Sequence, residues 1–237
     1  MSIYAISDLH LSFSSDKPMD IYGGEWINHT EKIKNNWETI ISEGDTVIIP
    51  GDTSWALRLN DAMVDLKWIS ELPGKKVLIK GNHDLWWNSV NKLNALYNNM
   101  FFLQNAFYEA DGYAICGTRG WICPGEDDFT LHDEKIYRRE LGRLKASLEA
   151  AVKAGYQRID NAGRSRILGV LHFPPAGNIL RGSGFTEMFE KYGVEKVIYG
   201  HLHGKEANEG GFKGIKSGVG YILASTDYLR NIPLRVI

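Results

Sequence analysis

Apolar residues in this chain fall into two alternating kinds of run. Short, solidly aliphatic runs occupy residues 3–6, 46–49, 77–79, 113–117, 167–171 and 197–199, and Gly, Pro or Asp closes most of them. Such runs predict buried β-strands. Between them, apolar residues recur at helical spacing: in 31–41 they are Ile33, Trp37, Ile40 and Ile41, and similar patterns over 61–72, 85–97, 131–154 and 185–192 predict further helices. Strands alternating with helices indicate an α/β architecture that gathers functional residues at the strands' C-terminal ends. After Lys205 the pattern changes to short strands at 211–215, 219–224 and 234–236. Two stretches break the alternation and are expected to be loops: 11–28, with Pro18, Gly23, Gly24 and Trp26, and 121–130, with Pro124 and acids at 126–128. No linker or repeat interrupts the 237 residues, so a single domain over 1–237 is expected.

Polar clusters stand directly behind the strand runs. They are Asp8, Leu9 and His10; Gly51 and Asp52; Gly81, Asn82, His83 and Asp84; His172; and Gly200, His201, Leu202 and His203. These clusters use five of the seven histidines. In an extended segment residues i and i+2 share a side, so Asp8 and His10 can reach one ion while Leu9 turns inward, and His201 and His203 repeat the arrangement around Leu202. The glycines allow a sharp turn and a close approach of backbone to the centre. A short pair such as Asp-x-His recurs by chance; the ordered set does not. The donors suffice for two divalent ions and indicate metal-assisted hydrolysis of a phosphate ester.

The bulk numbers narrow the setting. A net charge of -2 offers no global attraction for nucleic acid or anionic lipid. Hydrophobic content of 43% and charged content of 24% are ordinary for a globular protein. Cys116 and Cys123 make no zinc-ribbon pattern or disulfide framework, and Cys116 reads as a strand residue. No apolar stretch or leader suggests a membrane span or export. A reduced, cytoplasmic protein without membrane or nucleic-acid partners is expected.

The ordered motif from Asp8 to His203 resembles that of the calcineurin-like metallophosphoesterases, with no element missing. The resemblance implies a four-layer αββα sandwich, two mixed sheets face to face with helices outside. It implies one metal held by Asp8, His10, Asp52 and His203, and a second by Asp52, Asn82, His172 and His201, with Asp52 bridging. It also gives His83 the leaving oxygen and implies attack by a metal-bridging hydroxide. Asp84 is expected to orient the His83 ring. With Asp8 and Asp52 the only charged ligands, two divalent ions leave an electropositive centre suited to a phosphate. Imidazole, carboxylate and amide donors favour Mn, Fe, Co or Zn over Ca or Mg.

Outside the motif, Arg119 in a glycine-flanked loop is a candidate phosphate clamp, weighed equally against a surface arginine paired with an acid. Arg181 is a weaker candidate of the same kind. Trp86 and Trp87 read as core, whereas Trp26 and Trp121 are candidates to wall a pocket. His29 and His132 default to surface or supporting roles. The expected substrate is a small phosphate mono- or diester, with loops 11–28 and 121–130 setting selectivity. Two alternatives remain: a non-catalytic, metal-stabilised protein-binding scaffold of the same fold, and a nucleic-acid phosphodiesterase.

Overall fold

Alternate residues of the strands face two different cores, and this sorts the molecule into layers. The computed structural model describes residues 1–125, 129–157, 165–177 and 182–237. Strand β1 (Ile3–Ala5) is followed by helix α1 (His29–Ile40), β2 (Thr46–Ile49), α2 (Leu59–Glu71), β3 (Lys75–Leu78), α3 (Val90–Leu93) and β4 (Met100–Phe102). The chain continues through β5 (Phe107–Ala110), β6 (Tyr113–Thr118), α4 (Leu131–Lys153), β7 (Ile167–Leu171), α5 (Gly184–Lys191) and β8 (Lys196–Tyr199). It ends with α6 (Gly204–Gly210), β9 (Gly214–Lys216), β10 (Val219–Leu223) and β11 (Leu234–Arg235).

One sheet has the order β11-β1-β2-β3-β4, the other β5-β6-β7-β8-β10-β9. Strands β1 to β4 run parallel, as do β6, β7, β8 and β10, while β5, β9 and β11 pair antiparallel at the margins. Ile3, Ala5, Ile48 and Val77 of the first sheet pack on Ile115, Leu168, Val170 and Ile198 of the second. The opposite faces, with Val47, Ile49 and Leu78 or with Cys116, Ile167 and Val197, pack under helices. Helices α1 and α2 add Ile33, Trp37, Leu66 and Ile69 to the first outer core; α4 and α5 add Leu144, Leu148, Phe185 and Phe189 to the second. The result is the expected four-layer α/β sandwich of two mixed sheets. Each aliphatic side chain so buried contributes roughly 1.5–3 kcal/mol of transfer free energy.

The long helices start where the sequence caps them. Thr130 and Asp133 form a reciprocal capping box on α4, and Ser183 accepts from Phe185 and Thr186 at the head of α5. The predicted helix 85–97 is corrected to the single turn of α3. Its apolar residues serve packing: Trp86 is buried and its Nε1 donates to Asp84 Oδ1 at 3.0 Å, which needs a tight turn. At the other end Asn94 leaves the helix to pair with the backbone of Phe102. Strands β4 and β5 and helix α6 were not anticipated. Loop 11–28 contains two short 3₁₀ turns, Met19–Tyr22 and Gly24–Trp26.

Parallel strands deliver the polar clusters to one edge, and the sheets meet there. Ser7, just past β1, bridges to Ser225, just past β10. Its N–H donates to Ala224 O at 2.7 Å, and Thr226 N–H donates to Ser7 O at 3.0 Å. The acidic run 126–128 and Arg181 lie outside the described residues. Among those described, no helix is long and apolar enough to cross a membrane.

Candidate metal centre

Four residues of the polar clusters have left-handed backbones: Asp8 (φ 61°), His10 (φ 44°), Asp52 (φ 49°) and His201 (φ 72°). Non-glycine residues rarely adopt this region, and it costs free energy that surrounding structure must offset. Here backbone bonds hold it: Asp8 N–H donates to Gly51 O and His10 N–H to Asp52 O, each at 3.0 Å. The adjacent glycines are required by proximity. A Cβ on Gly81 would lie 2.1 Å from Asp52 Oδ1, and one on Gly200 would lie 2.3 Å from Asp8 Oδ2. Any side chain at either position would displace a carboxylate.

The side chains converge in two groups, Asp8 with His10 and His203, and Asp52 with His172 and His201, each with its donor atoms within 4.8 Å of one another. In the first, His10 Nε2 faces His203 Nε2 at 3.3 Å, and Asp8 Oδ1 is 3.5 Å from His203 Nε2. In the second, His172 Nε2 faces His201 Nδ1 at 3.2 Å, and Asn82 Oδ1 lies 2.7 Å and 2.9 Å from those nitrogens. Asp52 Oδ2 reaches both groups, 3.4 Å from His172 Nε2 and 3.9 Å from His10 Nε2. The i, i+2 expectation holds for Asp8 and His10 by grouping, through left-handed rather than extended backbone. It fails for His201 and His203, which face different groups. His201 is left-handed and His203 extended (φ -130°), so their directions diverge.

The ring orientations and electrostatics fit cations. His172 Nδ1 is 2.9 Å from Pro50 O, which fixes the proton there and leaves the Nε2 lone pair facing inward. His203 Nδ1 is held the same way by Asp227 Oδ1 at 2.9 Å. Burial pushes His10 and His201 down to about 4, so both rings are neutral donors at ordinary pH. Burial also opposes charge on His203, but Asp227 and Asp8 raise it to about 10. Burial works against the Asp8 carboxylate too, yet His203, His172 and His10 hold it well below the usual range. Facing lone pairs backed by two carboxylates form a site that stabilises positive charge.

Asp227 is the supporting residue that sequence reasoning missed. Besides His203 it accepts from Gly204 N–H at 2.8 Å and Asn208 Nδ2 at 3.2 Å. No motif marks it. The role expected for Asp84 is corrected. Its Oδ1 accepts from Thr53 N–H, Ser54 N–H and Trp86 Nε1, and its Oδ2 from Gly81 N–H, so it braces the Asp52 and Asn82 loops rather than the His83 ring. Burial and repulsion from Asp52 lift its carboxyl to about 6. His83 is exposed, its N–H donating to Asp52 Oδ1 at 2.8 Å and its ring 4.3 Å from that of Trp55.

Arg119 is mostly buried, 3.7 Å from Glu140 and 4.4 Å over the Trp121 ring. Trp121 packs on Phe173 and donates to Asp133. His29 is buried, 3.0 Å from Leu9 O and edge-on to Trp26, while His132 is exposed. Trp86 is core and Trp87 packs partly buried against it. A cavity of about 1080 Å³ opens beside the first group, and His10, His203 and His83 form part of its wall. Trp26 from loop 11–28 lines it together with Trp55, which stacks on His10 at 4.8 Å.

Comparison with known proteins finds a match to the calcineurin-like phosphoesterase family over residues 1–205. The gene 66 protein of Mycobacterium phage L5 is 33% identical over 78 residues, covering 33% of this chain and 37% of that protein. The chain thus matches little more than a third of that relative's length. Phosphopantetheinyl hydrolase from Mycobacterium tuberculosis is similar in structure, with TM-score 0.52 and 16% identity, over 100% of this chain and 95% of that one. The protein TT1561 of Thermus thermophilus has TM-score 0.53 and 15% identity over 86% and 82%. At these identities the structural likeness speaks to the fold alone.

Proposed function

The chain belongs to the calcineurin-like phosphoesterase family, and from that premise we propose that it is a metal-dependent phosphoesterase that uses two divalent ions to hydrolyse mono- or diesters of a small phosphate compound. Asp8, His10, Asp52 and His203 would hold one ion, and Asp52, Asn82, His172 and His201 the other. The observation that carries this reading is the position of Asp52 Oδ2, 3.4 Å from a nitrogen of one group and 3.9 Å from a nitrogen of the other. A single carboxylate oxygen between two donor sets suits a shared ligand.

When bound, such ions polarise the phosphoryl oxygens and lower the pKa of an attacking water. The chain's own residues do the rest. His10 and His201, neutral through burial, offer lone pairs without proton competition. Pro50 O and Asp227 hold two more rings in register. His83 stands free on the cavity wall, where its ring N–H can meet the leaving oxygen. Arg119 lies 3.7 Å from Glu140 and over the Trp121 ring and does not line the cavity, so it takes no part in this reading.

The test is turnover of an aryl phosphate monoester and diester after reconstitution with Mn, Fe, Co or Zn, in wild type and His83→Ala. The variant should keep its metal and lose about 10²-fold or more with a poor alkoxide leaving group, and less with nitrophenolate. Absence of turnover with every metal would favour the binding-scaffold reading. Equal turnover in the variant would remove His83 from the mechanism.

A further inference from the structure

The cavity beside His83 is far larger than a phosphate needs, and its outer wall is chemically distinct. Near the metal residues, Trp26 and Trp55 flank His10, with ring centroids 5.7 Å and 4.8 Å from it. Met19 Sδ, 3.3 Å from Trp55 Nε1, fixes that indole. The same wall carries Tyr228 and three cations, Lys205, Lys213 and Arg230. Among the described residues no carboxylate lies within ion-pair reach of these cations. Lys213 is held in place by the carbonyls of Asn208 and Gly211, and its Nζ lies 5.5 Å from the Tyr228 ring centroid.

The acids of the same wall are differently placed. Asp227 is engaged by His203, and Glu25 by Lys32 at 3.9 Å and by Asn231. Among the described acids of the wall, Glu209 alone carries an unpaired negative charge. The wall therefore offers more free positive than negative charge. Lys213, Tyr228 and Arg230 also follow residue 205, where the family match ends.

We infer that the cavity binds the leaving group of the substrate, and that this group carries a flat ring and one anionic group besides the scissile phosphate, as when a nucleoside bisphosphate loses one phosphate and leaves as the nucleoside monophosphate. The inference rests on the proposed function, since His83 marks the side on which the leaving oxygen departs. The scissile phosphate lies at His10, His203 and His83. The ring packs on Tyr228, an exposed aromatic of the wall, because Trp26 is buried and Trp55 already carries the His10 ring and Lys17 Nζ. The second anion meets Lys205 and Arg230, with Lys213 adding its fixed charge.

The experiment titrates the manganese-reconstituted protein with adenosine bisphosphate, phosphorylated on both sides of its ribose, and with adenosine monophosphate. Quenching of tryptophan fluorescence gives both dissociation constants, and hydrolysis of an aryl phosphate diester is followed in parallel. The bisphosphate should bind about tenfold more tightly than the monophosphate, as two partly exposed charge contacts imply. In the Lys205→Gln, Arg230→Gln double variant that ratio should fall to about one; because it is a ratio, a general loss of affinity cancels. A ratio near one in wild type, or a ratio unchanged in the variant, overturns the inference. Preference for the bisphosphate without diester turnover would instead count against the proposed function alone.

Discussion

Asp227 holds His203 by its Nδ1 and leaves Nε2 facing His10, so its carboxylate determines how well the first donor group is formed. Asp227→Asn should weaken metal binding at that group by about 10–100-fold, the usual cost of losing a carboxylate behind a ligating imidazole. The Asp52, His172 and His201 group, whose rings do not depend on Asp227, should retain its ion. Stepwise metal titration followed by calorimetry distinguishes the two, and equal weakening of both steps would show that Asp227 acts through overall stability. The donor residues themselves were legible because five clusters recur behind five strands in fixed order. Asp227 was not, because an acid between Thr226 and Tyr228 has no local pattern, and its partner lies 24 residues away in the sequence. Asp84 was misassigned for a related reason. Adjacency to His83 suggested a pair, but the turn at Gly81 sends the carboxylate toward four other donors.

At the scale of elements, β3 shows how a buried charge can be carried by a strand leading into the site. Lys76 is fully buried, its Nζ donating to Leu72 O, and burial pushes it down to about 8 despite attraction from Glu43. The unfolded chain therefore binds more protons than the folded one between about pH 8 and the ordinary lysine value, and stability rises with pH across that window. Denaturant midpoints at pH 7.5 and 10, compared with those of Lys76→Met, should show about 1–3 kcal/mol of this rise in wild type and none in the variant. Parallel pH slopes would mean that Lys76 reaches water. Periodicity was a good guide wherever an element buries one face and carries its own cap, as in α4 and α5. It failed for 85–97, where Trp86 and Trp87 mimic the start of a helical stripe while packing from the irregular segment ahead of α3. Strands β4 and β5 went unseen because each is short and Gln104 and Asn105 interrupt the run between them. Helix α6 has glycine at both ends and only Ala207 as an apolar residue, which leaves no stripe to read.

For the whole molecule, the decisive feature is that two parallel sets of strands end at one seam, stitched by Ser7 and Ser225. Donors separated by almost 200 residues meet there, as Asp8 and His203 do at 3.5 Å. The alternation of strands and helices conveyed the α/β class, but the division into two sheets did not follow from it. Val47, Ile48 and Ile49 are all buried, Ile48 between the sheets and its neighbours under helices, so a doubly covered strand shows no polar alternation from which to assign faces. Trp26 was anticipated as a pocket wall, but the part of the cavity built from residues beyond 203 was not, since those residues lie far from loop 11–28 in the sequence. The proposed chemistry depends on the seam holding two ions that share Asp52. The most direct measurement is elemental analysis of the reconstituted protein together with aryl phosphate turnover as metal is added. Two divalent ions per chain, with turnover appearing as the second binds and disappearing on chelation, is the predicted result. One ion per chain at saturation, or turnover that survives complete metal removal, would contradict it.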